Sequence, residues 1–177
     1  MKNFWEDVLL LPYKSNSRDN PHHEKQVEEL IVKHGFDYVY QPNGTQKSPD
    51  FRITLDNGRN VDIECKSSKK TYPTYNGGLP KKGTVYVFSS AEYDETTIYF
   101  AEDVVSERKR ELYAQLVEDL NSVLKTYQID DDWQEDDRGF DFYMRAMYTQ
   151  SGGADKKDYF KHSERQICEQ KVLNHNW

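Results

Sequence analysis

The chain has 177 residues, a formal net charge of −7 and 36% hydrophobic residues, with a mean hydropathy of −0.99. That length suits one domain with one core, and an aromatic share of 14%, including 13 tyrosines, excludes the aromatic-poor make-up of a disordered chain. The two distant cysteines, Cys65 and Cys168, exclude a disulfide scaffold, and no run approaches the roughly 18 apolar residues of a membrane span.

The expectation is a polar-surfaced cytoplasmic protein with no membrane partner. In chain order, MKNFWEDVLLLPYK is a short apolar run interrupted by acids and closed by Pro12. It lacks the length and cleavage site of a signal peptide. HHEKQVEELIVKHG, 22–35, predicts a helix with Val27, Leu30, Ile31 and His34 on one face and Gly35 as its stop. His22 and His23 open it and are expected in solvent. FDYVYQ, 36–41, predicts a strand ended by Pro42-Asn43-Gly44.

FRITL and NVDIECK alternate on either side of Asp56-Asn57-Gly58 and predict a hairpin. Residues 67–83 hold two prolines and three glycines and predict a long functional loop. TVYVFSS (84–90) and TTIYFAE (96–102) predict a further strand pair. From about 103 to 127, Leu112, Leu116, Leu120, Val123, Leu124 and Tyr127 recur as one helical stripe, expected to cover the sheet as core. DDDWQEDD, 130–137, reads as a loop, and the alternation Phe140, Phe142, Met144, Ala146, Tyr148 predicts a late strand over 138–149. No repeat or second domain is evident, so residues 1–177 form one domain.

The hairpin must bury Phe51, Ile53 and Leu55 with Val61, Ile63 and Cys65 on one face. This predicts the pairs Leu55–Val61, Ile53–Ile63 and Phe51–Cys65, closed by an odd-length loop of three residues with a bulge. The other face then sets Asp50 against Lys66, Arg52 against Glu64 and Thr54 against Asp62. Asp50 lies diagonal to Glu64, at about 7–8 Å between backbones. Two carboxylates so placed suit a hard divalent cation, with Lys66 beside them to contact water or phosphate. A cation and an ammonium together suit phosphodiester hydrolysis. The bland alternative is a solvated face of alternating charge.

Pro49-Asp50, then Glu64-Cys65-Lys66 with Glu64 fourteen positions after Asp50, resembles the signature of the PD-(D/E)XK nuclease superfamily. The resemblance runs over about 22–127, leaving 128–177 as a C-terminal extension. It implies an α/β, restriction-endonuclease-like αβββαβ core with a mixed sheet flanked by helices. It further implies Asp50, Glu64 and the Cys65 carbonyl as ligands of Mg²⁺, with Mn²⁺ as substitute, and Lys66 as the base that positions water. Glu24, eleven residues before Gly35-Phe36, matches a helical glutamate of many members, with Glu28 as competitor.

Between Thr45 and Gly83 eight basic residues meet four acidic ones, a local basic patch on an acidic chain. Lys69, Lys70, Tyr72, Tyr75, Asn76, Lys81 and Lys82 in the loop after Lys66 are therefore candidate contacts to double-stranded DNA. The chain thus resembles small type II restriction endonucleases, which implies a Mg²⁺-dependent, site-specific DNA endonuclease acting as a homodimer. The open alternatives are a structure-specific nuclease of Holliday-junction resolvase type and a non-catalytic DNA-binding module of the same fold. His162, Cys168 and His175 lack the spacing of a four-ligand zinc site.

Overall fold

The computed structural model describes residues 1–17, 19–135, 138–151 and 158–177. Its elements are α1 (Lys2–Leu9), α2 (His22–Lys33), β1 (Asp37–Tyr40), β2 (Phe51–Thr54), β3 (Asn60–Ser68), β4 (Thr74–Tyr75), β5 (Thr84–Ser90) and β6 (Glu95–Phe100). There follow α3 (Ala101–Val104), α4 (Glu107–Gln128), α5 (Asp131–Gln134), β7 (Tyr148–Thr149) and α6 (Glu164–Leu173). Five strands form one mixed sheet in the order β1-β2-β3-β5-β6. The β3–β5 pair is parallel and the other pairs are antiparallel. β4 and β7 form a separate two-stranded ribbon.

Side-chain alternation along the strands builds two apolar layers. Phe51, Ile53, Ile63, Cys65, Val85, Val87 and Ile98 pack against Phe4, Trp5 and Val8 of α1, Val27 and Ile31 of α2, and Val172 of α6. On the opposite face Tyr86, Phe88 and Tyr99 pack with Tyr75, Tyr159, Phe160 and Cys168. The interior therefore draws on both ends of the chain, beyond the 22–127 stretch that carries the family resemblance. No helix is long and apolar enough to cross a membrane among the described residues.

The hairpin keeps the expected faces but not the expected partners. Phe51 pairs with Ile63, Arg52 with Asp62, Ile53 with Val61 and Thr54 with Asn60, two residues from the predicted register. The loop is the reason. Leu55 N–H donates to the Arg59 carbonyl at 2.9 Å and Gly58 N–H to the Leu55 carbonyl at 2.8 Å. This closes a three-residue loop with Gly58 at φ 77°, a left-handed position that glycine adopts without steric cost. Arg52 then forks onto Asp62 with bonds of 2.7 and 2.8 Å.

Other expectations are corrected by tertiary context. The helical stripe of 103–127 breaks at Val105–Ser106, where Ser106 caps α4, and no α4 residue is buried. The sheet face assigned to it is filled by the tyrosine layer instead. Of the 138–149 segment only Tyr148–Thr149 is strand, while Phe140, Phe142 and Tyr143 are exposed. Asp131–Gln134 of the acidic segment is a short helix whose N-cap, Asp130, accepts from Asp132 N–H; Asp136 and Asp137 lie outside the described residues. Residues 67–83 are not wholly irregular, since β3 runs to Ser68 and β4 pairs with β7. The β3–β5 crossover contains no helix, unlike the αβββαβ pattern.

His22 is exposed as expected, but His23 is fully buried. Its Nε2–H donates to the Val87 carbonyl at 3.3 Å, and Nδ1 has no partner. Burial pushes its pKa down to about 4, against a small upward pull from the Val87 carbonyl. The imidazole is neutral in the fold and protonates more readily when unfolded. The stability it contributes is present above about pH 6.5 and is lost as pH falls toward 4, about 3 kcal/mol at most. Thermal melts of Asp50→Asn from pH 7 to pH 4 should show this loss, and adding His23→Leu should flatten the slope. An unchanged slope would contradict the assignment.

Candidate active site

The site forms where β2 and β3 leave their shared ladder. Asp50 N–H donates to the Ile63 carbonyl at 3.0 Å. Its carboxylate Oδ2 accepts from Cys65 N–H at 2.7 Å. Asp50 therefore stands beside Glu64 rather than across from Lys66 as predicted. Alternation along β3 sends Glu64 and Lys66 to the same side, while the Cys65 side chain is buried in the apolar layer. Only the Cys65 backbone can serve the site.

Lys66 Nζ donates to Glu64 Oε1 at 2.5 Å, and Glu64 Oε2 is buried with no partner. Asp50 is pushed up to about 7, first by burial, then by the negative charges of Glu64 and Glu24; the Cys65 N–H and Lys66 oppose this. Three carboxylates thus converge on too little positive charge. For Lys66, burial pulls the pKa down, but Glu64 and Asp50 outweigh it and leave it above its ordinary value. Lys66 is an ammonium that donates hydrogen bonds. In this state it can orient a water but cannot take its proton, so the role of base is not the one its surroundings favour.

Glu24 and Glu28, the two candidates, meet different partners. Glu24 accepts from Asn16 Nδ2 at 2.7 Å and from Tyr40 Oη at 2.6 Å, and it acts on Asp50. Glu28 accepts from Tyr38 Oη at 2.7 Å, one helical turn further on. Burial, then Glu24, raises the Tyr40 pKa, keeping the phenol protonated as a donor. Asn16 and Tyr40 escaped sequence reasoning because neither carries a motif.

A polar cleft of about 600 Å³ opens over Glu64, Lys66, Ser67 and Ser68. The β1–β2 turn supplies one wall through Asn43, Gln46, Lys47 and Ser48. The other wall comes from Thr74, Asn76, Gly77, Lys81 and Arg145. Four cations, Lys47, Lys66, Lys81 and Arg145, meet one lining acid, Glu64, on a chain of net charge −7. Lys81 Nζ donates to the Ser48 carbonyl at 3.3 Å, and Arg145 Nε to the Asn76 carbonyl at 2.9 Å.

Of the predicted DNA contacts, Asn76 and Lys81 line this cleft. Lys69 and Lys70 are exposed outside it, and Lys70 Nζ donates to Tyr72 Oη at 3.1 Å. Lys82 is paired with Glu107 at 2.5 Å. Tyr75 is not a surface contact at all: it is buried, and its hydroxyl bonds Tyr99 Oη at 2.9 Å and Gln150 at 2.8 Å. Arg145 was missed because only the pairing of β4 with β7 carries it to the cleft.

Among the described residues no cluster of three His, Cys, Asp or Glu side chains forms a ready metal site. Hydrogen bonds occupy Glu64 Oε1, Asp50 Oδ2 and both Glu24 oxygens. The orphaned Glu64 Oε2 and the repulsion on Asp50 nevertheless fit a hard divalent cation, whose oxygen ligands are commonly one or two carboxylates plus water. His162, Cys168 and His175 are otherwise engaged: His162 Nδ1 accepts from Glu164 N–H, Cys168 lies in the tyrosine layer, and His175 packs on Phe100 and Trp177. In comparisons with known proteins, the chain matches no family model and no curated protein.

Proposed function

We propose that this chain is a divalent-cation-dependent DNA endonuclease of the PD-(D/E)XK type, acting site-specifically on duplex DNA. The observation that carries the reading is the meeting of Asp50, Glu64 and Lys66, with Glu24 close by, where Glu64 and Lys66 line a cleft rich in cations. The antiparallel β1-β2-β3 meander with β5 parallel to β3 supports a restriction-endonuclease-like core. The helix-free crossover is its departure.

Mg²⁺ held by Asp50, Glu64 and the Cys65 carbonyl would supply Lewis acidity and an activated water. The chain's own residues do the rest. Lys66 donates to an oxygen at the reaction centre and sets its positive charge where the phosphorane develops negative charge. Asn16 and Tyr40 fix Glu24. Lys47, Lys81 and Arg145 receive the flanking phosphates.

Incubation of the purified chain with plasmids of known sequence tests this. Discrete fragments with Mg²⁺ or Mn²⁺ are expected; intact DNA with both ions contradicts it. Preferential cutting of a four-way junction over linear duplex would favour the structure-specific alternative. Arg145→Ala should weaken duplex binding about tenfold, measured with Ca²⁺ to hold cleavage off, and lower the salt slope by about one. Unchanged affinity and slope would remove Arg145 from the interface.

A further inference from the structure

We propose that, with the cleft read as a duplex-DNA site, Gln46 on the β1–β2 turn is a specificity-determining residue that reads an adenine in the major groove. Four side-chain amides line the cleft: Asn16, Asn43, Gln46 and Asn76. Two of them are used within the fold. Asn16 Nδ2 donates to Glu24 at 2.7 Å, and Asn43 Nδ2 donates to the Ser48 carbonyl at 2.8 Å. Gln46 and Asn76 are exposed, and neither amide has a hydrogen-bond partner among the described residues. Backbone geometry separates these two. Gln46 stands at φ 64°, a left-handed conformation that costs a residue with a Cβ and is kept where its side chain is needed. Glycine would serve the turn better, as Gly44 does at φ 93°.

The turn that carries Gln46 is pinned on both sides. Gly44 N–H donates to the Gln41 carbonyl at 2.9 Å and Lys47 N–H to the Gly44 carbonyl at 3.2 Å. Asn43 holds the Ser48 carbonyl from within the turn, and Lys81 Nζ reaches it from the other wall at 3.3 Å. Gln41 N–H donates to the Asp50 carbonyl at 2.7 Å, so the turn closes directly on the candidate metal ligand. Gln46 therefore adjoins Lys47, a phosphate contact in the proposed function, and stands four residues from Asp50. Phosphate contacts position a duplex, and base edges specify it. A primary amide sets an acceptor and an NH₂ donor side by side. Adenine presents the complement in the major groove, N7 accepting and N6 donating, whereas guanine shows two acceptors, cytosine a donor and thymine an acceptor. Only adenine satisfies both ends of the amide. Four residues span about 14 Å at most, which puts the adenine within about six base pairs of the scissile phosphate at about 3.4 Å per step.

Selection of bound duplexes from a random-sequence pool, with Ca²⁺ in place of Mg²⁺, reads this without any cleavage. The parent chain is expected to enrich duplexes that share one fixed adenine. Gln46→Gly removes the amide and suits the left-handed backbone, so its melting temperature should match or exceed the parent's. It should lose the preference for that adenine by about tenfold to 100-fold. Its salt slope should stay at the parental value, because Gln46 carries no charge. Replacing the adenine by 7-deazaadenine should weaken the parent about tenfold and leave Gln46→Gly unmoved. A parent that binds no duplex or enriches no adenine, or a Gln46→Gly chain that keeps the preference, would overturn the proposal. So would cut ends that map, with Mg²⁺, beyond about six base pairs from the adenine. Adenine-selective binding without cleavage in Mg²⁺ or Mn²⁺ would sustain the role of Gln46 and contradict the nuclease reading instead.

Discussion

Lys66→Ala is expected to slow metal-dependent DNA cleavage by about 10³-fold or more while leaving duplex affinity near that of the parent chain. The reason is geometric. The ammonium is the nearest cation to Glu64, at 2.5 Å, and stands on the cleft floor. On the proposed function it would act where charge develops, and Lys47, Lys81 and Arg145 would hold the flanking phosphates. Removing it also strands a buried carboxylate, since Glu64 Oε2 already lacks a partner and Oε1 would lose its own. Such a loss commonly costs 1–3 kcal/mol or more, so the variant should melt lower in chelator. A divalent cation should recover the melting temperature but not the rate. Chain-cleavage rates and melts on the same preparation separate the two effects. A variant that cuts at the parental rate would remove Lys66 from the chemistry, and one that no longer binds DNA would assign it to the clamp.

The second large effect is on stability. Asp50 is raised from 3.8 to about 7 in the fold by burial and by Glu64 and Glu24. A raised carboxyl pKa means that the folded state prefers the proton. The stability tied to Asp50 is present below about pH 4 and is lost as pH rises through about 7, by roughly 2–4 kcal/mol. His23 works in the opposite direction, costing stability as pH falls toward 4. Between about pH 4 and 6.5 the two slopes oppose each other and the parent's melting temperature should be nearly flat; in His23→Leu without a cation, it should fall by several degrees from pH 5 to pH 8. Mg²⁺ at millimolar concentration should abolish the alkaline loss, because binding the ionised carboxylates stabilises the fold by mass action. Asp50→Asn should be more stable than the parent at pH 8 in chelator and indifferent to Mg²⁺. A parent chain whose pH 8 melt ignores both Mg²⁺ and Mn²⁺ would contradict the reading of Asp50 as a ligand.

The features legible in the sequence were those set by local pattern. Alternation in FRITL and NVDIECK gave the hairpin's faces, and helical spacing gave α2 with its stop at Gly35. Register was not legible, because it depends on whether Leu55 closes on Arg59 or on Val61, a choice made by the loop's backbone. Periodicity likewise marked α4 as amphipathic without saying which surface meets its stripe. Sheet face and helix competed for the same apolar partner, and the tyrosine layer took the place. Tyr75 illustrates the limit most directly: in a loop rich in proline and glycine it reads as a surface contact. Its burial follows from pairing with Tyr148, 73 residues away. Arg145 enters the cleft by the same long-range ribbon. Glu24 and Glu28, one turn apart, could be separated only by finding which tyrosine each one meets.

The most direct measurement is an anomalous difference map from crystals of the chain grown or soaked with Mn²⁺. The account predicts a peak within ligand distance of the Asp50 carboxylate and Glu64 Oε2, with Lys66 at its side. A map with no peak between those carboxylates at saturating Mn²⁺, and Lys66 still seated on Glu64, would contradict it.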